Sequence, residues 1–277
     1  MINYFLCPAK LNLRLHITGQ RKDGYHLLDS IFILINLFDV LEIKPITEKT
    51  IRLTSNLSSI KTEENLVFKA ASLLQKEANL SEGVHLHLHK NIPLGAGLGG
   101  ASSNAATTLI ALNSLWQLNY STSDLMSLSL QLGADVPFFI RGENAHVSGI
   151  GEIIQPISLP TSHYLVIYPN FSISTTQIFQ ALSLTQHKTT RIIAHSAGPR
   201  AENDLQEVAF RLYPDLKRVR DFLGAFGHPV MTGSGSCLFI EVDSVQEYLA
   251  IKPDIPEGWW SVCVQTLGQH PLNGLKE

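Results

Sequence analysis

The segment Pro93-Leu94-Gly95-Ala96-Gly97-Leu98-Gly99-Gly100-Ala101-Ser102-Ser103-Asn104-Ala105-Ala106 carries the residue types that hold phosphate. Glycine lets a backbone turn through positive φ and approach a ligand closely. The alanine-rich run beyond it predicts a helix, whose first N–H groups and positive dipole end suit an anion. Ser102 and Ser103 add hydroxyls for phosphate oxygens or a magnesium ion. The same residues also suit a tight strand-to-helix turn chosen for geometry alone.

Three familiar phosphate loops fit poorly. Gly95, Gly97 and Gly100 have the G-x-G-x-x-G spacing, but a dinucleotide fingerprint follows a strand buried on both faces. Here Val84, Leu86 and Leu88 alternate with His85, His87 and His89, which predicts a strand covered on one face. No acidic residue stands at the usual distance. No Lys-Ser or Lys-Thr follows the glycines as a P-loop requires, and the His-Arg-Asp and Asp-Phe-Gly elements of protein kinases are absent. The three histidines read as a solvated strand face rather than a metal site.

The elements that must position the loop follow from periodicity. Leu11, Leu13 and Leu15 alternate with Lys10, Asn12 and Arg14, predicting a strand with those three polar residues on one side. A polar turn follows at 19–24, then strand over 30–43 and a helix from about Glu63 with Leu66, Ala70, Leu73 and Leu74 inward. Helices are expected from the glycine loop to Leu115 and over 121–132. Gly133 to Pro137 reads as a turn before a strand Phe138-Phe139-Ile140, and 142–151 as turns closing a first domain. Beyond it come strand 164–168, a helix near 176–182, a polar basic loop at 185–200, and helices over 203–212 and 214–226. A glycine-serine turn at 232–236, a strand 237–242, a helix and a last strand near 261–265 complete an α+β chain of two domains, 1–155 and 156–277.

The 277 residues are 44% hydrophobic and 16% charged, with a formal net charge of −3. That balance predicts no general attraction to nucleic acid or membrane, so an anion needs a local site. Three cysteines without paired spacing, and no signal-peptide pattern, point to a reducing cytoplasm. Oligomeric state is left open.

The loop from Pro93 to Ala106 resembles the central motif of the GHMP kinases. Pro8-Ala9-Lys10-Leu11-Asn12-Leu13 with Gly24-Tyr25-His26, then Gly133 to Phe139, and Met231 to Cys237 resemble that family's other motifs, in order along nearly the whole chain. Ala96 and Ala101 stand where glycine is common. The resemblance implies a two-domain α+β architecture: an N-terminal nucleotide-binding domain, a ferredoxin-like C-terminal domain and an active site between them. It implies ATP and Mg²⁺, with Ser103 as a candidate metal ligand, and a small-molecule alcohol, here a cytidine diphosphate-linked methylerythritol, as acceptor. Asp135 would be the base, with Lys10 beside it holding it ionised and stabilising charge. ATP would lie along Pro93 to Ser103, with Asn65 and Leu66 bordering the adenine. Asn12 would bond the acceptor, Tyr25 would stack on its cytosine, His26 would read the base edge and Phe179 would form a second wall. Gly233 and Ser234 would close over the ligands. Alternatives are another alcohol acceptor of the same family, a nucleotide-binding regulator without catalysis, or a Rossmann oxidoreductase.

Overall fold

In the computed structural model, residues 2–57, 60–183 and 201–275 are described. The first half comprises β1 (Asn3–Gln20), β2 (His26–Ile46), β3 (Ile51–Ser55), α1 (Leu66–Glu77), β4 (Gly83–His89), α2 (Gly100–Leu115), α3 (Thr122–Ser129), α4 (Val136–Arg141), β5 (Ala145–Gly149) and β6 (Ile153–Pro156). The second comprises β7 (His163–Tyr168), α5 (Thr175–Ser183), β8 (Glu202–Asn203), α6 (Gln206–Leu212), α7 (Asp215–Leu223), β9 (Val230–Met231), β10 (Leu238–Val242), α8 (Val245–Ile251) and β11 (Trp260–Leu267). The expected loop at 185–200 lies outside the described residues.

A continuous sheet runs β3-β4-β2-β11-β7-β10-β9, with β1 and β5 also paired to β2. Helices α1, α2 and α4 bury one face of the first half through Val67, Leu74, Leu109 and Phe138 against Phe32, Leu34, Leu41 and Leu86. In the second half, Val208, Phe210, Leu216 and Tyr248 cover Leu165, Ile167, Leu238 and Ile240. A third core joins the halves, with Leu11, Ile33 and Ile35 packed with Val166, Phe239 and Val264. On β4 the leucines are buried and the histidines only half-buried, the one-sided cover that the alternation predicts.

Three local expectations are corrected. Residues Val136–Arg141 form a helix, not a strand, and Val136 to Ile140 are all buried. A short apolar run fits either element, and Pro137, in the first turn, suits a helix start. Ala145–Gly149 is a strand paired with β2 and β6, so the glycines at 142 and 149–151 bracket an element instead of forming one long turn. The helix expected from Asn203 begins at Gln206, because Glu202 and Asn203 pair in parallel with Arg14 and Leu15.

A β-bulge decides what β1 shows to its neighbours. Asn12 pairs with Phe32 and Arg14 with Ile31, so Leu13 is the extra residue. The bulge resets the alternation, and Leu15, not Arg14, joins Lys10 and Asn12 along the cavity described below. Arg14 instead meets Asp29 at 3.0 Å.

Candidate active site

The glycine loop is fixed from several sides by its own carbonyls. Leu98 O accepts from Lys10 N at 2.9 Å, Ala96 O from Cys237 N at 3.1 Å and Gly97 O from Thr232 Oγ1 at 3.3 Å. Gly97 has φ +76°, and a Cβ there would lie 2.1 Å from Thr232 O. The two glycine turns are thus pressed together, and only glycine fits at the contact. Ala101 lies within the first turn of α2, and Ala96 is not among the residues with positive φ, so neither alanine strains the loop.

Helix α2 starts from Gly99 with no side chain capping it. Its first N–H groups therefore lack intrahelical acceptors and are available to an anion. Ser103 Oγ and Asn104 Oδ1 are buried without a hydrogen-bond partner among the described residues. A buried orphan of this kind costs about 1–3 kcal/mol; a phosphate oxygen would relieve the Ser103 hydroxyl by accepting its proton, and a bound cation or donor would relieve the Asn104 oxygen. Before the loop, fully buried Asp39 pairs with Lys90, and its Oδ1 accepts from Asn91 N at 2.7 Å and Ile92 N at 2.8 Å. That carboxylate anchors the strand-to-loop junction.

Lys10 and Asp135 meet in the lining of a cavity of about 790 Å³. Lys10 is 3% exposed, its Nζ lies 3.9 Å from Asp135 Oδ2 and 5.0 Å from the centre of the Phe32 ring, and it donates to Asn12 Oδ1. Burial pushes the Lys10 ammonium below its ordinary range, and Asp135 opposes that shift. Asp135 occupies the N-cap of α4, yet its side chain makes no capping bond. The carboxylate is 35% exposed and open to the cavity.

Asn12 also lines the cavity, but its side chain is engaged. Nδ2 donates to Ser30 Oγ at 3.1 Å, while Oδ1 receives Lys10 and lies 3.4 Å from Thr232 Oγ1, whose single proton is shared between this oxygen and Gly97 O. The expected contact with an acceptor would have to compete with these bonds.

Tyr25, His26 and Phe179 line the same cavity. Tyr25 is 61% exposed, and the His26 and Phe179 rings touch with centroids 5.1 Å apart and planes 35° from parallel. His26 and Phe179 thus form one wall of the cavity. Burial lowers the His26 pKa and favours the neutral ring. Gly233 and Ser234 also line the cavity, with Ser234 Oγ 2.6 Å from Thr175 Oγ1.

The remaining expected residues fall elsewhere. Gly95, Gly97 and Gly99 line the cavity; Pro93, Leu94, Ala96, Leu98, Gly100, Ala101, Ser102 and Ser103 do not. Ala96 and Leu98 belong to the core joining the halves. Asn65 caps α1 by accepting from Val67 N at 2.9 Å, and Leu66 packs against the first core. Neither reaches the cavity. Thr232, Ser30, Asp39 and Asn203 were not foreseen. Asn203 Nδ2 holds the second glycine turn through Met231 O at 2.6 Å and Gly233 O at 2.8 Å. Thr232 lies within a visible motif, though its own bonds are not visible there; the other three act over long sequence separations and leave no local signal.

Residues 65–143 match the family model described as GHMP kinases N terminal domain, and 180–251 that described as GHMP kinases C terminal. The chain is 45% identical to a 4-diphosphocytidyl-2-C-methyl-D-erythritol kinase of Polynucleobacter necessarius, over 97% of this chain and 94% of that protein. It is also 45% identical to one of Acinetobacter baumannii, covering 97% of each. A crystal structure of 4-(cytidine 5'-diphospho)-2C-methyl-D-erythritol kinase superposes with a TM-score of 0.81 at 33% identity, covering 97% of this chain and 100% of that one. A mevalonate kinase structure shares the fold alone, with a TM-score of 0.72 at 17% identity, covering 96% and 100%.

Proposed function

The chain belongs to the GHMP kinase family, and from that premise we propose that it transfers the γ-phosphoryl group of ATP to the 2-hydroxyl of 4-diphosphocytidyl-2-C-methyl-D-erythritol. The observation that carries this reading is the Lys10–Asp135 pair, lining one cavity together with the glycine loop and with Tyr25, His26 and Phe179.

Asp135 Oδ accepts the proton of the acceptor hydroxyl as its oxygen bonds to the γ-phosphorus and the bond to the β-phosphate oxygen breaks, releasing ADP. Lys10 orients that carboxylate and offers a poorly hydrated positive charge to the transferring group. The loop N–H groups and the start of α2 hold the nucleotide phosphates. Tyr25 and the His26–Phe179 wall hold the cytosine, with the neutral His26 ring offering one donor and one acceptor.

Among the described residues no group of three or more His, Cys, Asp or Glu is placed to hold a metal. The donor set fits a magnesium ion carried mainly by the nucleotide phosphates, with orphaned Ser103 Oγ as the protein ligand. When bound, the ion neutralises phosphate charge. We assign the domain division to residues 155–156, at the end of β6 and just before the segment that joins it to β7. A cytoplasmic setting suits the three free cysteines, and no described helix is long and apolar enough to cross a membrane.

The test is ADP release by the purified protein with Mg-ATP across an acceptor panel. The cytidylyl substrate should be turned over far better than homoserine, mevalonate or galactose. Equal or better turnover of a cytidine-free alcohol would move the chain to another branch of the family, and no release with any acceptor would defeat the catalytic reading.

A further inference from the structure

We propose that Ser30 is a positioning residue for phosphoryl transfer, fixing which end of the Asn12 amide faces the Lys10 ammonium. The inference rests on the reading of Lys10 given above. Ser30 is fully buried on β2, pairs across the strand with Leu15 and does not line the cavity.

The argument is one of hydrogen-bond direction. Ser30 has a single hydroxyl proton and donates it to the Arg14 carbonyl, which can only accept. That carbonyl flanks the β1 bulge, where the pairing register shifts. With its proton committed, Ser30 Oγ can only accept, so the Asn12 group 3.1 Å away must be the amide NH₂. The Asn12 oxygen then points the other way, to Lys10 Nζ and Thr232 Oγ1. The reverse amide would set NH₂ against an ammonium and oxygen against oxygen, leaving both contacts unmade.

Lys10 depends on that oxygen because it has few other acceptors. Burial disfavours its charge, and Asp135 is the charged group that opposes this. Among the described residues its ammonium also lies 5.0 Å from the centre of the Phe32 ring and near Gly233, where an added Cβ would stand 3.3 Å away, while Arg14 is turned away to Asp29. Without Ser30 the amide can rotate, and the ammonium loses its nearest neutral acceptor.

The test is Ser30→Ala, read by NMR titration of the Lys10 side chain in the full chain and by kcat against pH. Lys10 should titrate lower by about one pH unit, the scale of one hydrogen bond to a charge. The basic limb of kcat should move with it, while KM for ATP and for the cytidylyl substrate stays within about twofold, since Ser30 touches neither site. An unmoved Lys10 titration with a uniform fall in rate would assign Ser30 a purely structural part and overturn the proposal. Should Ser30→Ala fail to fold, Ser30→Cys, a weaker donor and acceptor, must shift Lys10 in the same direction by less; no shift overturns the proposal equally. A wild-type protein that releases no ADP would defeat the kinase reading, yet the titration would still decide the role of Ser30.

Discussion

Replacing Gly97 by alanine tests whether the two glycine turns form one rigid cradle. The added Cβ would stand 2.1 Å from Thr232 O and 3.0 Å from Gly235 O, at φ +76°. Left-handed backbone costs a residue with a Cβ about 1–2 kcal/mol. Relieving the clash to an ordinary contact near 3.3 Å requires the turns to part by roughly 1 Å, at a further cost of about 1–3 kcal/mol. The parting would displace Thr232 and, through it, the Asn12–Lys10 contact, and a shift of this size costs up to about 100-fold in rate. Gly258 supplies the control. It has φ +89° with nothing within 4 Å of an added Cβ, and it does not line the cavity. Gly258→Ala should therefore lose about 1–2 kcal/mol in stability with unchanged kinetics. The assay pairs coupled ADP release with denaturant unfolding. If Gly97→Ala merely matched Gly258→Ala in both measurements, the packed-turn account would be wrong.

Three further outcomes are expected. Asp135→Asn should lower kcat by about 10²–10⁴ with little change in binding of either substrate; wild-type turnover would exclude Asp135 as the base. Phe179→Ala should weaken binding of the cytidylyl substrate by about 1–3 kcal/mol, the scale of one base–aromatic stack, while KM for ATP holds; an unchanged affinity in calorimetry would remove Phe179 from the base site. Asp39→Asn should destabilise the protein by about 3–5 kcal/mol, because it leaves the Lys90 charge buried without its partner, and a melting temperature equal to wild type would contradict that burial argument.

Much of the site was legible because the relevant signals are local. The glycine run identifies the loop, and the leucine alternation around Lys10 and Asn12 gives their shared side as far as Asn12. Beyond that the bulge at Leu13 breaks the pattern, and no periodicity announces an extra residue. The role of Val136 to Ile140 was ambiguous for a physical reason: a five-residue apolar run buried on all sides has no polar stripe to reveal its period. Asp39, Ser30 and Asn203 were illegible because each acts through backbone groups far away in sequence. The aromatic part of the lining was only partly foreseen. Tyr25, His26 and Phe179 do share one cavity, but His26 lies against Phe179 rather than apart from it.

Strand β11 has a consequence for the order in which this chain can be built. It lies between β2 and β7, with Thr266 and Leu267 against Ile35 and Leu34, and His270 N then bonds Gly142 O while Leu272 enters the first core. During synthesis the short stretch of β2 at Leu34 and Ile35, between the parts that β5 and β4 cover, therefore lacks its strand partner until residues 260–272 emerge. A gap that short offers little template for mispairing, so what waits for β11 is the docking of the second half, whose β7 pairs with it over Trp260 to Gln265. Truncation after Gly258 would accordingly remove the seam that joins the two halves of the sheet.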